Sequence, residues 1–465
     1  MLYHSTRGLA EPVDFIQACL SGLAPDGGLY VPVVWPKIAP AEPGEHYVSV
    51  ATRVLSAFAG DALPKDVIED LCTKAYGNFA HQSVAPLVQT GPDQFIMELH
   101  HGPTLAFKDV AMQIIAQLYE HILSDRGQRL SVICATSGDT GGAAAAAFAG
   151  KKTVDLFILH PHLRVSPVQR LFMTATGADN IHNFALNDDF DACQAIVKAM
   201  FADKPFADSI ALSGVNSINW ARIAAQSVYF ATAQAALGVD RPLRFIVPSG
   251  NMGDVLAGYV AGKCGLLADF EGICAVNENK TLESLFNTGE MAKSNAVETP
   301  SPAMDISVPS NFERLLFDVS GRDPETVRSI YNQYLQSGRA ALPAETFVAL
   351  KASGLSAFSV SNEDTCQEMR DHLEETGMLI CPHTAVGTKI SRDAAGQERT
   401  RVVLSTAHAA KFPETVAEAT GHKIGLPGRC QALHDRGEVF DQISSDYSSV
   451  KAAIEAKLGV ATVSR

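Results

Sequence analysis

A chain of 465 residues is long enough for two or three domains with substantial cores. Its composition is that of an ordinary soluble globular protein, and a formal charge of −14 argues against non-specific binding to nucleic acid or to a membrane surface. An anionic ligand would need a locally positive site, built from helix N-termini or a few placed cations.

Residues 1–20 mix Arg7, Glu11 and Asp14 among apolar side chains and lack a signal-peptide core. No apolar run is long enough to span a bilayer. Nine scattered cysteines, never spaced as CxxC, fit a reducing cytoplasm better than a disulfide framework.

Residues 1–90 read as a small α/β segment. Asp26-Gly27-Gly28 turns into a strand at 29–31, and amphipathic helices are expected over 48–59 and 64–76. From 91 to 425, short apolar runs alternate with helical patterns. Strands are expected at 95–99, 130–135, 154–159, 181–186, 245–247, 273–276, 358–360 and 402–404. Helices are expected over 166–176, 190–201 and 220–237. This alternation is the signature of βαβ units and a largely parallel sheet, so the fold class is α/β. Residues 289–354 read as an excursion, polar and proline-punctuated to 310 and helical beyond it. Residues 426–465 read as a C-terminal helical segment.

Four stretches carry chemistry-bearing residues. In His101-Gly102-Pro103-Thr104-Leu105-Ala106-Phe107-Lys108-Asp109, the turn residues precede apolar positions at helical spacing. Lys108 therefore falls in the first turn of a helix, where the macrodipole disfavours a cation. A neutral amine is the form that attacks a carbonyl to make a Schiff base; a surface lysine is the alternative reading.

The second stretch, Thr136-Ser137-Gly138-Asp139-Thr140-Gly141-Gly142, joins an expected strand to an alanine-rich helix. Its backbone N–H groups could hold a carboxylate or phosphate, or it is simply a well-capped turn. The third, Ser249-Gly250-Asn251-Met252-Gly253-Asp254, lies between a strand and a helix. Gly250 and Gly253 would permit the positive φ and close approach that a phosphate nest needs. It is neither a Walker A loop nor a dinucleotide fingerprint. In the fourth, Thr406, His408 and Lys411 follow the last strand, where open α/β sheets place ligands. A lysine, a phosphate nest and a second anion turn together suit a pyridoxal phosphate enzyme acting on an amino acid. No metal-ligand cluster and no Gly-x-Ser-x-Gly elbow competes.

These motifs resemble the threonine synthase family, in its longer bacterial and fungal branch. The resemblance runs over nearly the whole chain, including residues 22–32, Arg164-Val-Ser-Pro-Val-Gln169 and Asn216-Ser-Ile-Asn-Trp-Ala-Arg222. It implies fold-type II, related to the tryptophan synthase β fold, with pyridoxal 5'-phosphate in a cleft between two α/β domains. The implied reaction turns O-phospho-L-homoserine and water into L-threonine and phosphate, in a monomer or homodimer.

By position, Lys108 would form the Schiff base and shuttle protons. The backbone of Gly250, Asn251, Met252, Gly253 and Asp254 would cradle the cofactor phosphate, and Thr406 would bond the pyridine nitrogen. Thr136, Ser137, Gly138 and Thr140 would hold the substrate carboxylate, and Arg222 or Lys411 the substrate phosphate. Asp139 stands where the wider group often has Asn against the cofactor's phenolic oxygen. A carboxylate there would repel a phenolate unless one is protonated or a cation lies nearby. A serine or threonine dehydratase and a catalytically silent homologue are the competing readings.

Overall fold

The computed structural model describes residues 1–394, 396 and 398–459. The chain divides into two compact units. The first comprises residues 1–114 and 217–425, and the second residues 115–216 and 426–459 of its described part.

The first unit is built on a six-stranded sheet. Its spatial order is Leu355–Ser359, Gly272–Val276, Leu243–Pro248, Thr400–Ser405, Gln94–Glu98 and Leu87–Gly91. The first five strands run parallel, and Leu87–Gly91 pairs antiparallel with Gln94–Glu98. The central strands carry apolar residues on both faces, as a doubly covered parallel sheet requires. Ile246, Ile273 and Val403 bury against Met369, Val386 and Ile390.

The N-terminal segment adds an antiparallel sheet of Val13–Asp14, Leu2–Ser5 and Tyr30–Pro32. It packs around the fully buried Trp220, whose indole meets the rings of Tyr3, Trp35 and Phe58 at 5.5–6.1 Å. Trp220 opens the helix Trp220–Leu237. Asn219 caps that helix by accepting from the Ala221 N–H and donating to the Cys19 carbonyl.

The second unit holds a five-stranded parallel sheet in the order Asp441–Ile443, Ile181–Leu186, Val154–Pro161, Leu130–Ala135 and Leu212–Gly214. Phe157, Phe184, Met200, Val450 and Ile454 form its core. Two of these strands escape a periodicity reading, because each is only three residues long. The segment beyond 425 is therefore not helical throughout: Asp441–Ile443 pairs with Ile181–Leu186 before the helix Tyr447–Leu458.

The excursion departs from expectation in the same way. Glu290–Ala292 and Arg339–Ala341 pair antiparallel, and neither has the length to show a period of two.

Candidate active site

Lys108 is the first residue of the helix Lys108–Arg126, as its pattern predicts. The turn before it is tied down by backbone. The Phe107 N–H donates to the Thr406 carbonyl at 2.8 Å, and the His408 N–H donates to the Leu105 carbonyl at 3.0 Å. Ala106 and Ala407 form an isolated antiparallel bridge. Leu105, fully buried, is held at φ 62, which costs a non-glycine residue about 1 kcal/mol. Gly102 is required for room, since a Cβ there would collide with the Asp109 side chain. Asp109 is itself buried and accepts from the hydroxyl and the N–H of Thr104, both at 2.7 Å.

Two of the strand-end residues work inside this turn. Lys411 is fully buried and donates its ammonium to the Thr104 carbonyl at 2.9 Å. His408 Nδ1 accepts from the Ala410 N–H at 3.1 Å and so caps the short turn that follows. Thr406, also buried, lies at the junction of the two chain segments.

The loop after Leu243–Pro248 opens the helix Gly253–Lys263. The positive φ expected of Gly250 and Gly253 is instead taken by Met252, at φ 59 and ψ 9. Gly250 is needed for space: a Cβ would lie 2.8 Å from Ile306 Cγ1 and 3.1 Å from Met304 Cα. Among the described residues, no acceptor takes the N–H groups of Gly250, Asn251, Met252, Gly253 or Asp254. Donors of this kind at a helix start are the groups that an anion would take.

Asp254 has a second aspect that sequence spacing does not reveal. Its carboxyl is buried, takes a hydrogen bond from the Tyr229 hydroxyl through Oδ1, and finds no partner for Oδ2. Burial pushes it up to about 7, with the charges of Lys108 and Arg222 opposing. Lys108 and Arg222 thus each lie within electrostatic reach of Asp254. Arg222, buried in the first turn of Trp220–Leu237, also lies within reach of Tyr229.

In the second unit, Gly138 and Asp139 begin the helix Asp139–Phe148. The Thr136 hydroxyl accepts from the N–H groups of Gly138 and Gly141, both at 3.0 Å, so its oxygen serves as a cap. Ser137 is exposed and Thr140 half-buried. Asp139 is buried, and Oδ1 accepts from Gln169 Nε2 at 2.9 Å. Gly138 adopts φ 139, and a Cβ on it would lie 2.6 Å from Gln169 Cδ. Gln169 was visible within Arg164-Val-Ser-Pro-Val-Gln169, but nothing in its spacing assigns it to Asp139.

Comparison with known proteins gives these sites a family. Residues 85–406 match the pyridoxal-phosphate dependent enzyme family, residues 2–76 the threonine synthase N terminus, and residues 384–454 the threonine synthase C-terminal family. A threonine synthase of Pseudomonas aeruginosa is 40% identical over 461 residues, covering 98% of each chain. The chain belongs to the threonine synthase family. The crystal structure of pyridoxal phosphate-bound threonine synthase from Brucella melitensis superposes with a TM-score of 0.95 at 44% identity, covering 98% of this chain and 99% of that one. Yeast threonine synthase superposes at 0.92 and 34%, covering 98% and 99%. A threonine synthase is a fold-type II lyase dependent on pyridoxal phosphate, and this chain has a place for that group. The N–H groups of Gly250 to Asp254, without acceptors among the described residues, are of the kind a phosphate would take, and Lys108, an amine, lies in the same unit. Among the described helices, none is long and apolar enough to cross a membrane.

Proposed function

We propose that this chain converts O-phospho-L-homoserine and water to L-threonine and phosphate. The observation that carries the reading is the pairing, within one unit, of an acceptor-free anion cradle at Gly250 to Asp254 with Lys108 in electrostatic reach of that loop. The nine cysteines form no disulfide with one another among the described residues, which suits a reducing cytoplasm.

The substrate sets the mechanism. Its phosphate leaves from Cγ, so loss of the Cα proton alone cannot expel it, and a second proton must come from Cβ. Lys108 is the base we assign to both carbons. Pyridoxal phosphate, when bound, supplies the electron sink. Lys108 and the backbone of Gly250, Asn251, Met252, Gly253 and Asp254 would hold it. Thr406 would offer its ring nitrogen a neutral hydroxyl, which does not enforce protonation as a carboxylate would. Ser137 and Thr140, in the turn capped by Thr136, would take the substrate carboxylate; Gly138 fits that role less well, its N–H being given to Thr136. Asp139, bonded by Gln169, would face the cofactor's phenolic oxygen, the Gln169 amide helping to offset its charge. Arg222 is the residue we assign to the substrate phosphate. Lys411 fits that role less well, its ammonium being engaged with Thr104.

The test is phosphate release from O-phosphohomoserine, with and without added pyridoxal phosphate, with the carbon product identified. Cofactor-dependent release with L-threonine as product supports the assignment. 2-Oxobutyrate as the main product would make the chain a dehydratase, and no turnover would make it a silent homologue.

A further inference from the structure

Asn311 lies in the excursion, between the cofactor loop and the segment that leads to Arg222, and has no exposed surface. Its side-chain Nδ2 donates to two carbonyl oxygens, those of Asn251 and Ser217, each at 3.1 Å. Its backbone N–H donates to the same Asn251 oxygen, also at 3.1 Å. Its Oδ1 accepts from Arg314 Nη1 at 2.6 Å. Arg314 is buried too, and its other hydrogen bonds go to the carbonyls of Tyr30 and Ile218. Ser310 completes the arrangement by donating its hydroxyl to Asn251 Oδ1 at 2.8 Å.

The chemistry of these groups fixes their orientation. A guanidinium only donates, so Arg314 must face Oδ1 and thereby turn Nδ2 towards the two carbonyls. A peptide unit is planar and trans, so its C=O and the next N–H point in opposite directions. Holding the Asn251 oxygen aims the Met252 N–H away from Asn311, and holding the Ser217 oxygen does the same for the Ile218 N–H. Met252 is the residue in the left-handed region, so its peptide plane is the one that propensity alone would not hold.

We propose that Asn311 is a positioning residue: through one side-chain amide it fixes a peptide plane in the cofactor-phosphate loop and another in the loop leading to Arg222, with Arg314 locking the amide. This rests on assigning Gly250 to Asp254 to the cofactor phosphate.

The experiment compares affinities of the full-length apoprotein for pyridoxal phosphate and for pyridoxal, which lacks the phosphate. Wild type binds pyridoxal phosphate more tightly, and N311A narrows the ratio of affinities by about tenfold, the loss expected when the loop donors are no longer aimed. N311D keeps the shape and the Arg314 contact but sets a carboxylate oxygen against two carbonyls, and it narrows the ratio as well. It supplies the answer if N311A does not fold, as judged by near-UV circular dichroism. A ratio unchanged in either folded variant, or an equal loss for both ligands, overturns the positioning role. A wild type that does not discriminate overturns the loop assignment, and the inference with it.

Discussion

Lys411 and Thr104 are joined by a buried ammonium–carbonyl hydrogen bond of 2.9 Å, and Thr104 in turn gives both of its donors to Asp109. Burial raises the Asp109 carboxyl while the Lys411 charge opposes that shift, so the pair stabilises the turn before Lys108. Lys411→Met should lower the stability of the apoprotein by roughly 3 kcal/mol, because it leaves a buried acid without its cation. Urea unfolding checks this. An unchanged midpoint with a raised KM for the phosphorylated substrate would return Lys411 to substrate binding.

Asp254 predicts a pH signature. Burial raises its carboxyl from 3.8 to about 7, so between those values the folded chain keeps a proton that the unfolded chain has released. Its contribution to stability therefore falls as pH rises from about 4 to about 7, and the penalty is complete above that range. Tyr229, whose phenol burial holds well above its ordinary value, remains a donor throughout. Asp254→Asn should gain on wild type by on the order of 4 kcal/mol between pH 4 and pH 8. Apoprotein unfolding midpoints that stay parallel across this range would show that the carboxyl does not titrate there.

Gly250→Ala tests the space argument. The new methyl would press on Met304 and Ile306, whose backbone neighbours leave little room to give. Overpacking of this kind costs about 1–3 kcal/mol. The cost should fall on the loop, so pyridoxal phosphate should dissociate about tenfold or more faster in dialysis. Retention equal to wild type would mean that the loop tolerates a side chain where close approach was inferred.

Gln169→Leu removes the amide bonded to the buried Asp139 carboxyl. A lost hydrogen bond to a charged acceptor costs about 1.5–3 kcal/mol. The rate–substrate profile should move with it, kcat falling because Asp139 loses a contact that orients it. A profile superimposable on that of wild type would place Asp139 outside the reaction.

The sequence was readable where an element is long and periodic or a turn has one conformational solution. Strands such as Leu130–Ala135 and Ile181–Leu186, and the helix starting at Lys108, fall where the apolar pattern puts them. Three-residue strands such as Leu212–Gly214 and Asp441–Ile443 could not be read, because their pairing is decided by neighbours distant in the chain. The site divides along the same line. Lys108 and the loop Gly250 to Asp254 announce themselves as local motifs. Asn311, Tyr229 and Gln169 act across 25 to 94 positions, and no spacing rule marks them. Met252 shows the limit of propensity. Two glycines flank it nearby, yet the left-handed conformation falls on the methionine, where tertiary bonds to Asn251 hold the chain.

The backbone bonds between Phe107 and Thr406, and between Leu105 and His408, also have a meaning in time. The two segments they join are separated by some three hundred residues of chain, all of which must leave the ribosome before the turn around Lys108 can close. At about 5–20 residues per second, synthesis alone delays that closure by tens of seconds after the lysine emerges. During this interval the nascent lysine has no finished site around it. Closure of the turn around Lys108 is thus a late event in the life of the chain, and a product truncated before Thr406 would carry the lysine without that turn.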